Sequence, residues 1–424
     1  AAMLALARGT ALLAVAVLCS SSVSARHVSG SRTAFAPAPA IWSTLTPSLR
    51  NGLPLPHGGR SGGRGGAAGP VMMAKKVVPR KASKGFGAKK KIVKNNVKEL
   101  DDAKTEALFD WLREGGSSVS KVAIADFKGL RGVAARQVIE EGEAIVSIPQ
   151  GLALNLGSDG INPGYAAATL CKIEKSEERR QHGWFQPFLD VLPTYEQCDT
   201  TDFFSEQELK AFEWEPVESE TAERLAMLRS TYDASQIQGV QRAKHDDMTW
   251  EEYMWGVYQV VSRVLTIQRE GQEGEKFLIP MIDMFNHDPR SVHQLKCTQG
   301  TFKVIAGKRI NVGEQINILY GGGVLNNDRL IQDYGFLQQD NQFDVEQLTA
   351  KKTKEPMAGY PFKGMGMDEA GLKEMLAGFS TTLEDDVKAL EEDKFESARM
   401  RTAVLFRSEK KKAISAALQE VTKA

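Results

Sequence analysis

Read for its apolar and polar positions, the chain changes character near residue 101. From there Ala107, Leu108, Trp111 and Leu112 fall at i, i+1, i+4 and i+5, which predicts a helix halted by Gly115-Gly116. Short runs of strand character follow at Lys121 to Phe127, Val133 to Val138 and Ala144 to Ile148, with turns at Gly129 to Gly132 and Glu140 to Gly142. Residues 163 to 250 read as helical, with the block WFQPFLDVLP (Trp184 to Pro193) as a fixed apolar point. Thr249-Trp250-Glu251-Glu252 fits a capping box that opens a long helix, its apolar face carrying Tyr253, Val257, Val260, Val261, Val264 and Leu265. A second strand-rich stretch runs from Phe277 to Leu319 and contains another turn at Gly313-Glu314. From Asp368 the pattern is helical again. Strands gathered apart from helices predict an α+β fold, because a doubly wound sheet would alternate them.

Charge sharpens the boundary. The chain has 424 residues and a formal net charge of zero, but all sixteen Lys and Arg up to Lys98 stand without a single acid. The remainder carries 38 bases against 54 acids, a net of −16. A body that acidic is a poor match for nucleic-acid phosphates and suits a basic or neutral partner. The four cysteines, at 19, 171, 198 and 297, form no CxxC pair and suggest neither a zinc cluster nor a disulfide framework. No apolar run beyond residue 30 approaches a membrane span.

The first hundred residues read as an address. Ala11 to Cys19 is an apolar h-region after a short n-region, and Val23-Ser24-Ala25 offers the small residues of signal-peptide cleavage. Residues 26–73, rich in Ser, Gly, Pro and Arg, have transit-peptide composition, and residues 74–100 form a basic linker with too little apolar surface to fold. Thr33-Ala34-Phe35-Ala36-Pro37 resembles the phenylalanine junction of plastid leaders in algae with complex, red-lineage plastids. The expectation is therefore delivery to such a plastid, with no membrane segment in the mature form. A nucleic-acid-binding tail is the alternative reading of the Lys-rich run.

One cluster could carry chemistry: Ile279-Pro280-Met281-Ile282-Asp283-Met284-Phe285-Asn286-His287, then Gly313-Glu314, then Ile318-Leu319-Tyr320-Gly321, then Asp333-Tyr334-Gly335-Phe336. Singly each residue has a plainer reading. His287 could be a satisfied core histidine, Asp283 a helix cap, and Tyr320 and Tyr334 core rings at turns. No phosphate loop, HExxH or nucleophile elbow competes with the cluster.

In order and content the cluster resembles the catalytic half of SET-domain protein methyltransferases of the Rubisco large-subunit methyltransferase-like branch. The likeness extends back through Val261-Ser262-Arg263, WFQPFLDVLP and Gly129-Leu130-Arg131-Gly132, and forward to LFRSEKKKAISAAL (Leu405 to Leu418). It implies a SET domain at 101–345 with a helical insertion near 160–255, and a helical substrate-binding domain at 346–424. It also implies S-adenosyl-L-methionine as cofactor, lined by Gly129, Leu130, Arg131, Gly132, Arg263, Asn286 and His287. Arg263, Asp283, Tyr320 and Tyr334 would meet the substrate, with Tyr320 catalytic and no metal involved. The implied reaction is methylation of a protein lysine; Rubisco large subunit, aldolase or a ribosomal protein are all open as substrates. The branch also contains a histidine-directed member with similar motifs, and a non-catalytic SET-fold binding module is the reading from another class. Leu130-Arg131 departs from the Gly-x-Gly usual at that turn, the loop after Tyr320 is unusually glycine-rich, and the C-terminal helical region is short.

The chemistry suits these residue types. A sulfonium methyl is already activated, so alignment is the main requirement. A lysine amine must be neutral to attack, although its free pKa is about 10.4. A narrow apolar pocket with aromatic walls disfavours the ammonium and lowers that value.

Overall fold

The computed structural model describes a strand at 17–19 and residues 97–423, apart from 159–161, 176–183, 234–247 and 270–272. The transit-like region, the Phe35 junction and nearly all of the basic linker lie outside the described residues. Strand β1 (Val17–Cys19) covers three residues of the apolar run read as an h-region.

Strand β2 (Lys98–Glu99) starts the continuous part. Helix α1 (Ala103–Glu114) begins at Asp102, whose carboxylate accepts from the Lys104 and Thr105 backbone N–H groups, two donors a helix start leaves unpaired. It buries Leu108, Phe109, Trp111 and Leu112, the face read from the spacing. Strands β3 (Val122–Phe127), β4 (Leu130–Ala135), β5 (Ala144–Pro149) and β6 (Leu154–Ser158) follow. β4 begins at Leu130, not Val133, because the turn is tight enough for Phe127 and Leu130 to pair directly.

The insertion consists of α2 (Gly164–Lys175), α3 (Gln186–Leu189), α4 (Glu206–Lys210) and α5 (Glu215–Asp233). Helix α6 (Trp250–Arg263) opens on the Thr249/Glu252 capping box. It stops at Arg263, so Val264 and Leu265 are not part of its apolar face: Val264 is extended and Leu265 starts β7 (Leu265–Arg269). The branched run Val264 to Ile267 favours the strand. Then come β8 (Glu275–Leu278), β9 (Asn286–His287), β10 (Gln294–Thr298), β11 (Thr301–Ile305) and β12 (Gln315–Ile318). Helices α7 (Asn327–Tyr334), α8 (Gln342–Thr349), α9 (Glu369–Gly378), α10 (Leu383–Glu392) and α11 (Ala398–Lys423) complete the chain.

The strands form two sheets, β5-β11-β10-β1-β7-β8-β6 and β2-β3-β4-β12-β9. With the helices kept outside them, the fold is α+β. Cys171 and Cys198 are free and buried, whereas Cys297 is disulfide-bonded, which the scattered cysteine spacing does not suggest.

Two apolar cores lie under this framework. The larger joins α1, both sheets, α2 and α6. The smaller is built jointly by the insertion and the C-terminal helices: Phe212, Trp214 and Val217 pack with Phe406 and Ile414. The helices after residue 346 therefore share a core with the insertion. Buried charges tie the same parts together, since Lys410 of α11 pairs with Asp328 of α7 and Asp344 of α8 at 2.7 and 2.6 Å. Among the described residues no helix is long and apolar enough to cross a membrane.

Candidate active site

Three separate parts of the sequence build one wall, and a fourth faces it. β9 lies parallel to β12, with Asn286 opposite Asn317 and His287 opposite Ile318. On its other edge β12 pairs antiparallel with β4, which carries Arg131 and Gly132. Asn286 Nδ2 crosses to donate to the Arg131 carbonyl at 2.9 Å. Only glycine permits this approach, because a Cβ at 132 would stand 2.7 Å from that same Nδ2. The WFQPFLDVLP block closes the opposite side. Trp111 packs on Phe188, Trp255 Nε1 and Gln259 Nε2 of α6 both donate to the Pro193 carbonyl, and Arg131 Nη1 donates to the Val191 carbonyl at 2.7 Å.

Tyr320 follows β12 directly. Its backbone N–H donates to His287 Nδ1 at 3.0 Å and its hydroxyl donates to the Phe285 carbonyl at 2.5 Å. The ring stands 4.9 Å from Tyr334 and 5.2 Å from His287, and Phe336 completes the aromatic group. Tyr334 ends α7, and Gly335 after it takes the left-handed conformation (φ 76°) that turns Phe336 back toward His287. A side chain at 335 would also strike Asp199.

These groups frame two connected spaces. A cleft of about 560 Å³ is lined by Leu130, Arg131, Asp199, Tyr258, Asn286, His287, Phe336 and neighbours. A narrow cavity of about 50 Å³ lies behind it, walled by Val261, Val264, Leu265, Ile282 and Leu319. Ser262, Arg263, Asp283, Tyr320 and Tyr334 line both. They stand at the junction of the wide space and the narrow one.

The electrostatics follow from enclosure. Arg263 Nη1 donates to the Asp283 carbonyl at 3.0 Å and to its carboxylate at 3.3 Å. Burial pushes the Asp283 carboxyl up, against the pull of Arg263 and then Arg131. Two buried atoms here, Arg263 Nε and Asp283 Oδ1, have no hydrogen-bond partner. Such orphans are costly inside a protein and call for a polar partner, whether a water or a ligand. Arg131 is lowered by burial and then by Arg263 beside it. Burial likewise lowers His287, which keeps its Nδ1 available as an acceptor, and pushes the Tyr320 hydroxyl up to about 12, which keeps it protonated.

The structure thus brings together Leu130, Arg131, Arg263, Asp283, Asn286, His287, Tyr320 and Tyr334. Gly132 stands behind the wall, as the residue that lets Asn286 in. Gly129 lies at the hairpin tip, its N–H donating to Asp126 Oδ1 at 2.6 Å, and does not line the cleft. Asp199 and Tyr258 belong to the cleft but escaped the sequence reading. Tyr258 is not on the α6 face named from the sequence, and Asp199 sits in no motif, so only packing reveals them.

No family model matches the chain. Its fold is that of a SET domain: a solved SET domain of LSMT bound to lysine and AdoHcy superposes with a TM-score of 0.55 at 17% identity, covering 76% of this chain and 92% of that one. Rubisco LSMT bound to AdoMet gives a TM-score of 0.54 at 16% identity over the same shares. In sequence the chain is similar to actin-histidine N-methyltransferase of Drosophila melanogaster, 26% identical over 57% of this chain and 50% of the relative. It is also similar to the Homo sapiens protein of that name, 24% identical over 62% and 47%. The chain spans about half the length of these curated relatives.

Proposed function

We propose that the protein transfers a methyl group from S-adenosylmethionine to a lysine side chain of a protein substrate. The observation that carries this reading is the two-chambered site, with Arg263, Asp283, Tyr320 and Tyr334 lining both the wide cleft and the narrow cavity. A bulky nucleoside donor is too large for the narrow cavity and would take the cleft, which leaves the cavity for a single side chain. The orphaned Arg263 Nε and Asp283 Oδ1 at the junction suit a ligand carrying both charges and hydrogen-bonding groups. Leu130, Arg131, Arg263, Asn286, His287 and Phe336 would hold the donor, which supplies an already activated methyl.

The chain's own residues would then do three things. The aromatic group around Tyr320 and Tyr334 orders the approach and excludes water. Desolvation in the narrow cavity, whose wall includes Val261, Val264, Leu265 and Ile282 beside the Arg263 and Lys276 cations, would disfavour an ammonium against the pull of Asp283 and Asp333. Tyr320, held by the Phe285 carbonyl and His287, presents an oxygen that orients the amine.

Histidine is the second reading, because the curated relatives named above are actin-histidine methyltransferases. Lysine is favoured by the aliphatic part of the wall, Val261, Val264, Leu265, Ile282 and Leu319, which suits an alkyl stem, while Arg263, Lys276, Asp283 and Asp333 line the same cavity. We place the substrate in the plastid on the leader composition alone, with Rubisco large subunit, aldolase and ribosomal proteins as candidates. The test is to incubate the protein with methyl-labelled S-adenosylmethionine and a plastid extract, then sequence the labelled peptide by mass spectrometry. Label on lysine supports the reading, label on histidine moves it to the second, and no label in any extract leaves a non-catalytic SET-fold binder. A reporter carrying residues 1–75 tests the compartment: plastid import supports it, and cytosolic signal removes it.

A further inference from the structure

Strand β1 fills a slot inside a sheet. It lies between β10 and β7, parallel to both, with Val17 opposite Ile267, Leu18 opposite Gln268, and Cys19 opposite both Arg269 and Cys297. On their other sides β10 pairs with β11, and β7 with β8. Without β1 the sheet is two pieces, whose facing edges carry unpaired backbone N–H and C=O groups. The space between those edges is two strand spacings, roughly 10 Å, which admits a single strand.

The slot leads to the site. The narrow cavity behind the cleft is lined from both of the strands that flank β1, by Leu265 and Thr266 on β7 and by Leu295 on β10. β1 begins its pairing at Ile267, the residue after Thr266, and Cys297 stands two residues beyond Leu295. An extended segment of a protein substrate that set one side chain in this cavity would meet the same two edges.

We propose that β1 is a plug carried by the chain itself: while the leader is attached it holds the backbone edges beside the cavity, and loss of the leader opens them to a protein substrate. This rests on the methyl-transfer reading above and adds a control on that reaction. Tethering makes three residues enough. A segment of the same chain acts at an effective concentration of the order of millimolar, whereas a separate protein must reach the slot from dilute solution. The donor keeps its own access, since none of the described residues lining the wide cleft belongs to β7 or β10.

Leu18→Pro in the full chain tests the plug, because a proline at the centre of the strand removes a backbone N–H and does not sit inside a sheet. Three measurements compare it with the parent: hydrogen exchange along Leu265–Arg269 and Gln294–Thr298, calorimetric titration with S-adenosylmethionine, and methyl label entering a plastid extract. All are made in a thiol reductant, because Cys297 is disulfide-bonded and a covalent tie would hide release. The variant should exchange faster on both strands and label limiting extract faster, each by about tenfold or more, with donor affinity within about twofold. A peptide of residues 15–25, added at about 1 mM, should slow both again. Should the proline variant lose donor binding by misfolding, Leu18→Gly carries the same expectations at smaller size. Equal exchange in parent and variant overturns the plug. Faster exchange with an unchanged labelling rate also overturns it, and leaves the methyl-transfer reading standing. No label from either form, with the strands shown open, removes that reading and the plug with it.

Discussion

The backbone N–H of Tyr320 donates to Nδ1 of His287 at 3.0 Å, so a side chain on β9 fixes the residue that leaves β12. The parallel pairing of the two strands places His287 opposite Ile318, two residues before the tyrosine it holds. That bond needs His287 neutral at Nδ1.

Its pH consequence has a definite sign. Burial lowers the His287 pKa below its ordinary 6.5, so the unfolded chain binds the proton more readily than the folded one. The contribution to stability is complete above 6.5, declines as pH falls from there through the folded pKa, and is flat below it. Melting temperature measured from pH 8 to 5 should fall in that window, and His287→Asn should remove this part of the slope. An identical slope in the variant would assign the pH dependence to other groups.

Tyr320→Phe should separate folding from catalysis. The ring contacts with Tyr334 and His287 survive and only the hydroxyl bond to the Phe285 carbonyl is lost, so stability should change by about 1 kcal/mol. Methyl transfer should drop by roughly two to three orders of magnitude if the oxygen orients the amine in the transition state. Donor affinity should hardly change. Turnover on the identified substrate, compared with donor titration, checks both halves.

Gly132→Ala should break the cleft wall from behind. Its Cβ would stand 2.7 Å from Asn286 Nδ2, forcing that amide off the Arg131 carbonyl. The expected loss is about 1–3 kcal/mol of stability together with weakened donor binding. Thermal melts with and without S-adenosylmethionine measure the two effects, and an undisturbed ligand shift would show that Asn286 is not part of the donor site.

Arg224→Met addresses the support of Tyr334. Arg224 of α5 donates to Asp202 at 2.8 Å, to Asp333 at 2.7 Å and to the Gln332 carbonyl at 2.6 Å, all at the C-terminal end of α7 or packed against it. Removing it leaves two enclosed carboxylates without their cation, which should cost about 3–5 kcal/mol. Arg224→Lys should recover part of this. Chemical denaturation of the two variants checks the order.

Much of this protein was settled by its sequence, because the signals were local. The Thr249/Glu252 box starts its helix by bonding backbone groups within three residues, so that start was readable, whereas the Asp102 cap of α1 emerges only from the structure. The strand-like runs and the Gly-containing turns gave the α+β class for the same reason. The cluster Asp283, Asn286, His287, Tyr320 and Tyr334 was visible because its residue types are unusual in apolar strand ends. Other features depended on contacts far apart in the chain. The apolar period of α6 runs on through Val264 and Leu265, yet the helix ends at Arg263, because Leu265 pairs with Phe277 of β8 as the first residue of β7. The resemblance implies that Gly129 lines the site with Leu130 and Arg131, yet Gly129 is at the hairpin tip, which faces different surroundings from the strand that follows. Asp199 and Tyr258, 59 residues apart, carry no pattern at all; folding joins them by a hydrogen bond in the cleft. The shared core of Phe212, Trp214 and Phe406 likewise arises only when the insertion and the last helix meet. Local backbone chemistry is written in neighbouring residues, whereas a cleft is a property of which surfaces the tertiary packing leaves facing one another.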